Sequence, residues 1–258
     1  MFELFSDIFA GRDNPLRRID ARAKLMIAAL IILLCLCSAQ VPFPLLAAVV
    51  CLAGTAAIRV PLSHALGRLL FPLLAAVFVL VLKLFMIGST EIFTIHINGM
   101  VLVARQEGLF QGITILARVM GAVSVMMLLG YVTPAHEIFR ALRWMRAPEE
   151  IIDLAMLMYR HIFTLIEQAG EVAVAQRVRL GYAGLSRTLG SAGTLAGTVI
   201  LRSLEQSVRT HEAMVARCYD GRMPFRPPPA IRSKDWISTI AVVVIVLILF
   251  WALEGGLV

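Results

Sequence analysis

The 258 residues are 59% hydrophobic and 16% charged, and 24 Lys and Arg against 17 Asp and Glu leave a net charge of +7. Soluble domains carry about 25% charged residues, so the composition excludes an ordinary water-soluble domain and points to an integral membrane protein. In such a chain a basic excess records topology, and no nucleic-acid partner is expected.

Hydrophobicity begins only at Leu25 and no small-residue cleavage site follows, so the first apolar run is expected to stay as a membrane helix. A bilayer core asks for about 20 apolar residues per helix. Five segments are candidates: Leu25–Ala39, Pro44–Ile58, Leu69–Gly88, Ile113–Val132 and Trp236–Leu253. The first two are short and are joined by QVPFP, whose Pro42 and Pro44 break any continuous helix. Cys35, Cys37 and Cys51 lie in apolar runs and read as small hydrophobes rather than a disulfide framework.

Sidedness follows from the flanking cations. Arg12, Arg17, Arg18, Arg22 and Lys24 precede the first span, Arg59 and Arg68 separate the second and third, and Arg105 alone lies between the third and fourth. The N-terminus is therefore expected in the cytoplasm. Between the third and fourth spans, EIFTIHINGMVLVARQEG predicts a small external hairpin turning at Asn98-Gly99. His96 in it has no second ligand at metal spacing, and neither a metal site nor any other cofactor is expected. Lys83 lies near a helix end from which it can snorkel. Arg118 lies about one and a half turns inside the fourth span, either as an interhelical pin or as a snorkelling residue.

The expected organisation is a four-span bundle over 1–132, cytoplasmic helices over 133–235 and a final span over 236–258, an all-α membrane protein with about five spans and about three cytoplasmic helices. The first cytoplasmic helix opens at Thr133-Pro134 and repeats Arg140, Arg143 and Arg146 along one face, which suits the inner membrane surface. The second starts near Pro148 and stops at Gly181; about 30 residues would span about 45 Å. The third runs from about Thr188 to Tyr219 and stops at Gly221, before MPFRPPP. Gly193-x-x-x-Gly197 and Ala169-x-x-x-Ala173 offer faces for close helix approach.

Each of the two long helices ends with an arginine just ahead of a glycine, Arg179 before Gly181 and Arg217 before Gly221. Free carbonyls at a helix end favour cations, and guanidinium pairs bidentately with carboxylates. If both helices descend from the membrane, the two arginines form a two-pronged plug; the alternative is a pair of ordinary cytoplasmic arginines. A lipid-modifying enzyme would need clustered carboxylates or a nucleophile beside a base, and Asp153, Asp220 and Asp235 are isolated.

These residues resemble the T components of energy-coupling factor (ECF) transporters, membrane scaffolds that join two ABC-type ATPases to a substrate-capturing membrane protein. The signature arginines of that family, usually in Ala-Arg-Gly or Ala-Arg-Ser, are matched by Val178-Arg179-Leu180 and Ala216-Arg217-Cys218. Its early Asp-Pro-Arg-x-Lys is matched by Asp20, Arg22 and Lys24, and its Glu-Gly-Leu…Gly…Arg by Glu107, Gly108, Leu109, Gly112 and Arg118. Leu180 and Cys218 stand where the family usually has a small residue, and Arg160-His161-Ile162-Phe163 lacks a proline often found there.

ARCYDGRMP looks most like the cobalt-type branch, CbiQ. The resemblance implies a non-catalytic coupling subunit in a bacterial inner membrane, with Arg179 and Arg217 each docked in one ATPase and a cobalt-type S component as membrane partner. A T component for another metal or vitamin is the alternative. The chain has no G-x-x-x-x-G-K-[ST], so nucleotide is expected on the partners.

Overall fold

A computed structural model of the protein describes residues 19–58, 62–86, 91–97, 100–221 and 233–255. Arg12, Arg17, Arg18 and Arg59, the Asn98-Gly99 turn and the MPFRPPP segment lie outside the described residues. Two compact units make up the chain, Met1–Ala141 with Pro229–Val258, and Leu142–Pro228.

The first unit holds helices α1 (Ala21–Cys37), α2 (Pro42–Ala57), α3 (Leu62–Met86) and α4 (Gln106–Val132), and the C-terminal α8 (Ser233–Gly255). An antiparallel hairpin, β1 (Glu91–Ile97) and β2 (Met100–Arg105), joins α3 to α4 and pairs Ile97 with Met100 across the two-residue connection. Among the described residues the fold is thus helical apart from this hairpin.

By length and composition, Leu66–Phe85, Gln106–Val132 and Trp236–Gly255 can cross a bilayer. Of the five expected spans, the first two do not reach that length. With 17 and 16 residues, α1 and α2 rise only about 25 Å against a hydrocarbon core of about 30 Å. In α1, Arg22 and Lys24 in the first turn shorten the apolar stretch further, and the 38–41 connection ends the helix.

Helix α4 is the hub of this unit and packs against α1, α2 and α3. Missing side chains make that possible. A Cβ on Gly112 would stand 2.9 Å from Leu80 Cγ and 3.1 Å from its Cα, and one on Gly121 would stand 2.8 Å from the Pro44 carbonyl oxygen. Around this seam Ala28, Cys51 and Val125 pack together, as do Ile58, Tyr131 and Val132. Helix α8 closes a third cluster, with Phe250 edge-on to Phe43 at 5.1 Å between ring centroids. The outward faces stay apolar: Phe71 is 82% and Trp251 78% exposed, as expected of surfaces that meet lipid rather than water.

Two intramembrane cations have partners. Lys83 Nζ donates to Gln111 Oε1 at 3.4 Å, joining α3 to α4. Arg118 Nε donates to the Ser38 carbonyl at 2.8 Å. Arg118 is therefore an interhelical pin, placed where the C-terminal carbonyls of α1 attract a cation.

Helix α5 (Ala135–Trp144) crosses the boundary between the units at its buried Ala141. In the second unit, Arg143 pairs with Glu149 at 3.1 Å and Arg146 is exposed; Arg140, in the first unit, is exposed too. Helices α6 (Glu149–Val178) and α7 (Leu185–Val215) then supply most of the unit. Glu149 and Glu150 at the start of α6 and Arg177 at its end follow the helix dipole.

Candidate functional site

Both signature arginines stand at the ends of long helices. The α6 cap is Arg179, followed by Leu180 in the left-handed conformation at φ 55°. The Leu180 N–H donates to the Arg177 carbonyl at 3.1 Å and the Gly181 N–H to the Gln176 carbonyl at 2.9 Å. At the end of α7 the pattern recurs: Cys218 has φ 59°, its N–H donates to the Val215 carbonyl at 2.9 Å, and the Tyr219 N–H donates to the Met214 carbonyl at 3.1 Å. This paired closure satisfies the last carbonyls and holds the preceding arginine at the rim of the helix end.

The left-handed position falls one residue after each arginine, not on the glycines that the sequence offered as stops. Gly181 is needed instead for close packing, since a Cβ there would meet Ser191 Oγ at 2.6 Å and the Gln176 carbonyl at 2.9 Å. Gly221 does have a positive φ, 94°, but lies beyond the helix.

Arg179 and Arg217 are both exposed and, among the described residues, make no ion pair or side-chain hydrogen bond. Their neighbours are exposed too, with Val178 at 79%, Leu180 at 67% and Val215 at 56%, alongside Ala216 and Cys218. An exposed guanidinium flanked in sequence by open apolar side chains is suited to a groove with a carboxylate or carbonyl floor. Sequence reasoning missed Arg187, which joins Arg179, Gln176, Leu180, Gly181 and Ser191 around an open concavity of about 460 Å3 at the α6–α7 turn. Its signal was position alone, eight residues past Arg179 and just beyond the turn.

The order of the elements sets the two arginines apart along the chain. Helix α7 begins at Leu185, six residues after Arg179, and Arg217 follows its far end. The two arginines therefore bracket α7, whose 31 residues rise about 46 Å. The whole of that helix lies between them. Among the described residues, a Cβ on Gly193 or Gly197 of α7 would meet nothing within 4 Å.

The other motif residues belong to the first unit. Asp20 caps α1, its carboxylate accepting the Arg22 N–H at 3.2 Å, and Arg22 is buried. Glu107 lies in the first turn of α4 with Gly108 buried beside it, and Lys24 and Arg118 serve α1 and α4. These residues build the bundle, whereas Arg179 and Arg217 belong to the second unit. Among the described residues no cluster of three or more His, Cys, Asp or Glu could hold a metal ion.

The family profile described as cobalt transport protein, CbiQ, matches residues 12–227. An uncharacterised protein of Methanocaldococcus jannaschii is 34% identical over 170 residues, 66% of this chain and 63% of that one. The cobalt transport protein CbiQ of Rhodobacter capsulatus is 37% identical over 91 residues, covering 35% of this chain and 37% of the relative. A putative fused cobalt transport protein CbiMQ of Methanocorpusculum labreanum is 36% identical over 109 residues, 42% of this chain and 18% of its own. The aligned stretches thus cover less than two thirds of these relatives. With a family match over most of its length and helices apolar enough to cross a bilayer more than once, the chain is a multi-pass membrane protein belonging to the CbiQ cobalt transport protein family.

Proposed function

We propose that the chain is the coupling T component of an energy-coupling factor transporter for cobalt, with Arg179 and Arg217 as the contacts for two ABC-type ATPase subunits. The observation that carries this reading is the pair of exposed guanidinium groups, each at the end of a helix of 30 or 31 residues and each without a partner among the described residues. A separation of about one helix length suits one arginine per ATPase subunit, rather than two in one groove. Movement of one ATPase against the other would then load α7 along its length, and the open glycine face at Gly193 and Gly197 offers a close approach for the substrate-binding membrane partner.

The family description and the names of two relatives support cobalt as the transported ion. The basic residues ahead of α1 support a cytoplasmic N-terminus and, with it, a cytoplasmic second unit at the bacterial inner membrane.

The test is to replace Arg179 or Arg217 with Glu in the assembled transporter. Loss of ATPase co-purification and of ATP-dependent cobalt uptake, with normal membrane insertion, is expected. An arginine desolvated against a carboxylate costs about 2–5 kcal/mol when removed, and one on a wet surface about 0–1 kcal/mol. Normal association and uptake in both variants would refute the assignment.

A further inference from the structure

The six residues between α6 and α7 include Gly181 and Gly184, the latter at φ 95°, and would make a loose hinge if nothing held them. A ring of polar contacts holds them. Gln176, in the last turns of α6, uses both ends of its carboxamide: Nε2 donates to the Ser191 carbonyl at 2.9 Å and Oε1 accepts the Tyr182 hydroxyl at 2.8 Å. Ser191, in the second turn of α7, donates its hydroxyl to the Gly181 carbonyl at 2.8 Å. The Gln176 carbonyl takes the Gly181 N–H at 2.9 Å, so both backbone groups of Gly181 are engaged.

The approach of α7 is so close that no side chain fits on Gly181, where a Cβ would stand 2.6 Å from Ser191 Oγ. Gln176, Tyr182 and Ser191 are all half-buried, which limits competition from water. Among the described residues α7 has none that is fully buried, so apolar burial along α7 does little to hold the joint instead.

We propose that Gln176, Tyr182 and Ser191 form a locked elbow, and that these positioning residues convert displacement of Arg179 into rotation of α7 rather than bending of the turn. The functional meaning rests on the coupling reading above; the rigidity of the joint does not. With the elbow intact, a push on Arg179 reaches the far end of α7. With it unlocked, the ATPases still bind Arg179 but their movement is absorbed at Gly181 and Gly184.

The experiment uses the full transporter in proteoliposomes with Gln176→Leu, Tyr182→Phe and Ser191→Ala, beside Ser191→Thr, which keeps the hydroxyl, and Arg179→Glu. Spin labels on the exposed positions Val174 and Leu189 report the angle of the joint. The expected result is a distance distribution at least twice as broad in the first three variants and a severalfold fall in cobalt transported per ATP hydrolysed. ATPase association should be retained, and Ser191→Thr should resemble the parent.

An unchanged distribution overturns the locked elbow, whatever the transport result. A broadened distribution with unchanged transport per ATP overturns its role in transmission, and loss of ATPase association in these variants would assign the cluster to docking instead. If Arg179→Glu leaves association and uptake intact, the coupling reading itself fails, while the spin-label widths still decide whether the joint is rigid.

Discussion

Arg118 Nε lies 2.8 Å from the carbonyl oxygen of Ser38, so a cation carried on α4 closes the end of α1. Ser38 is fully buried and its hydroxyl donates to the Gln40 carbonyl at 2.9 Å, while the Gln40 N–H donates to Glu254 Oε1 of α8 at 3.4 Å. Three helices thus converge on one short connection. Arg118→Leu strands a buried carbonyl and should destabilise the bundle by about 1–3 kcal/mol. Thermal unfolding in detergent should show a lower midpoint, and an unchanged midpoint would mean that the contact contributes nothing.

Leu180 and Cys218 occupy left-handed backbone, which costs a residue with a Cβ about 1–2 kcal/mol relative to glycine. Leu180→Gly and Cys218→Gly should therefore raise stability by about 0.5–1 kcal/mol after the greater freedom of glycine in the unfolded chain is subtracted. Hydrogen exchange at the 180–181 and 218–219 amides checks this: stronger protection is expected in each variant.

Gly112 and Gly121 have the opposite requirement, because each faces a neighbouring helix backbone closer than a methyl group allows. Gly121→Ala, against the Pro44 carbonyl, should cost about 1–3 kcal/mol through overpacking. Gly130→Ala is the control. Nothing lies within 4 Å of a Cβ there, so helix propensity alone should make it neutral or stabilising by up to about 1 kcal/mol. Equal unfolding midpoints for the two variants would contradict the close approach of α2 to α4.

Much of this architecture was legible because the signals are local. Pro148 precedes α6 and Pro134 precedes α5, as proline at a helix start should. The hairpin could be read from alternating β-branched residues around Asn98-Gly99, and its strands pair with two residues between Ile97 and Met100. Arg179 and Arg217 could be named from their helix-end positions together with the family resemblance.

What escaped were relations between distant residues. Nothing beside Arg118 announces Ser38 as its acceptor, 80 positions away. The placing of the two arginines at opposite ends of α7 also hid, because two helices of similar length and ending suggested a pair of neighbouring tips. The elbow was invisible for a related reason: Gln176 and Ser191 are ordinary polar residues until the turn folds them together.

Thiol protection tests the coupling account most directly, because Cys218 is exposed directly beside Arg217 while Cys35 and Cys51 are buried. In inside-out vesicles, a chain with Cys37→Ser would report on Arg217 through Cys218. The same chain carrying Val178→Cys and Cys218→Ser would report on Arg179. If the arginines dock into ATPase grooves, both thiols should be shielded from a membrane-impermeant maleimide while the ATPases are bound and should react at least tenfold faster once they are stripped away. Equal rates with and without the ATPases would show that neither helix end meets an ATPase, and would contradict the account.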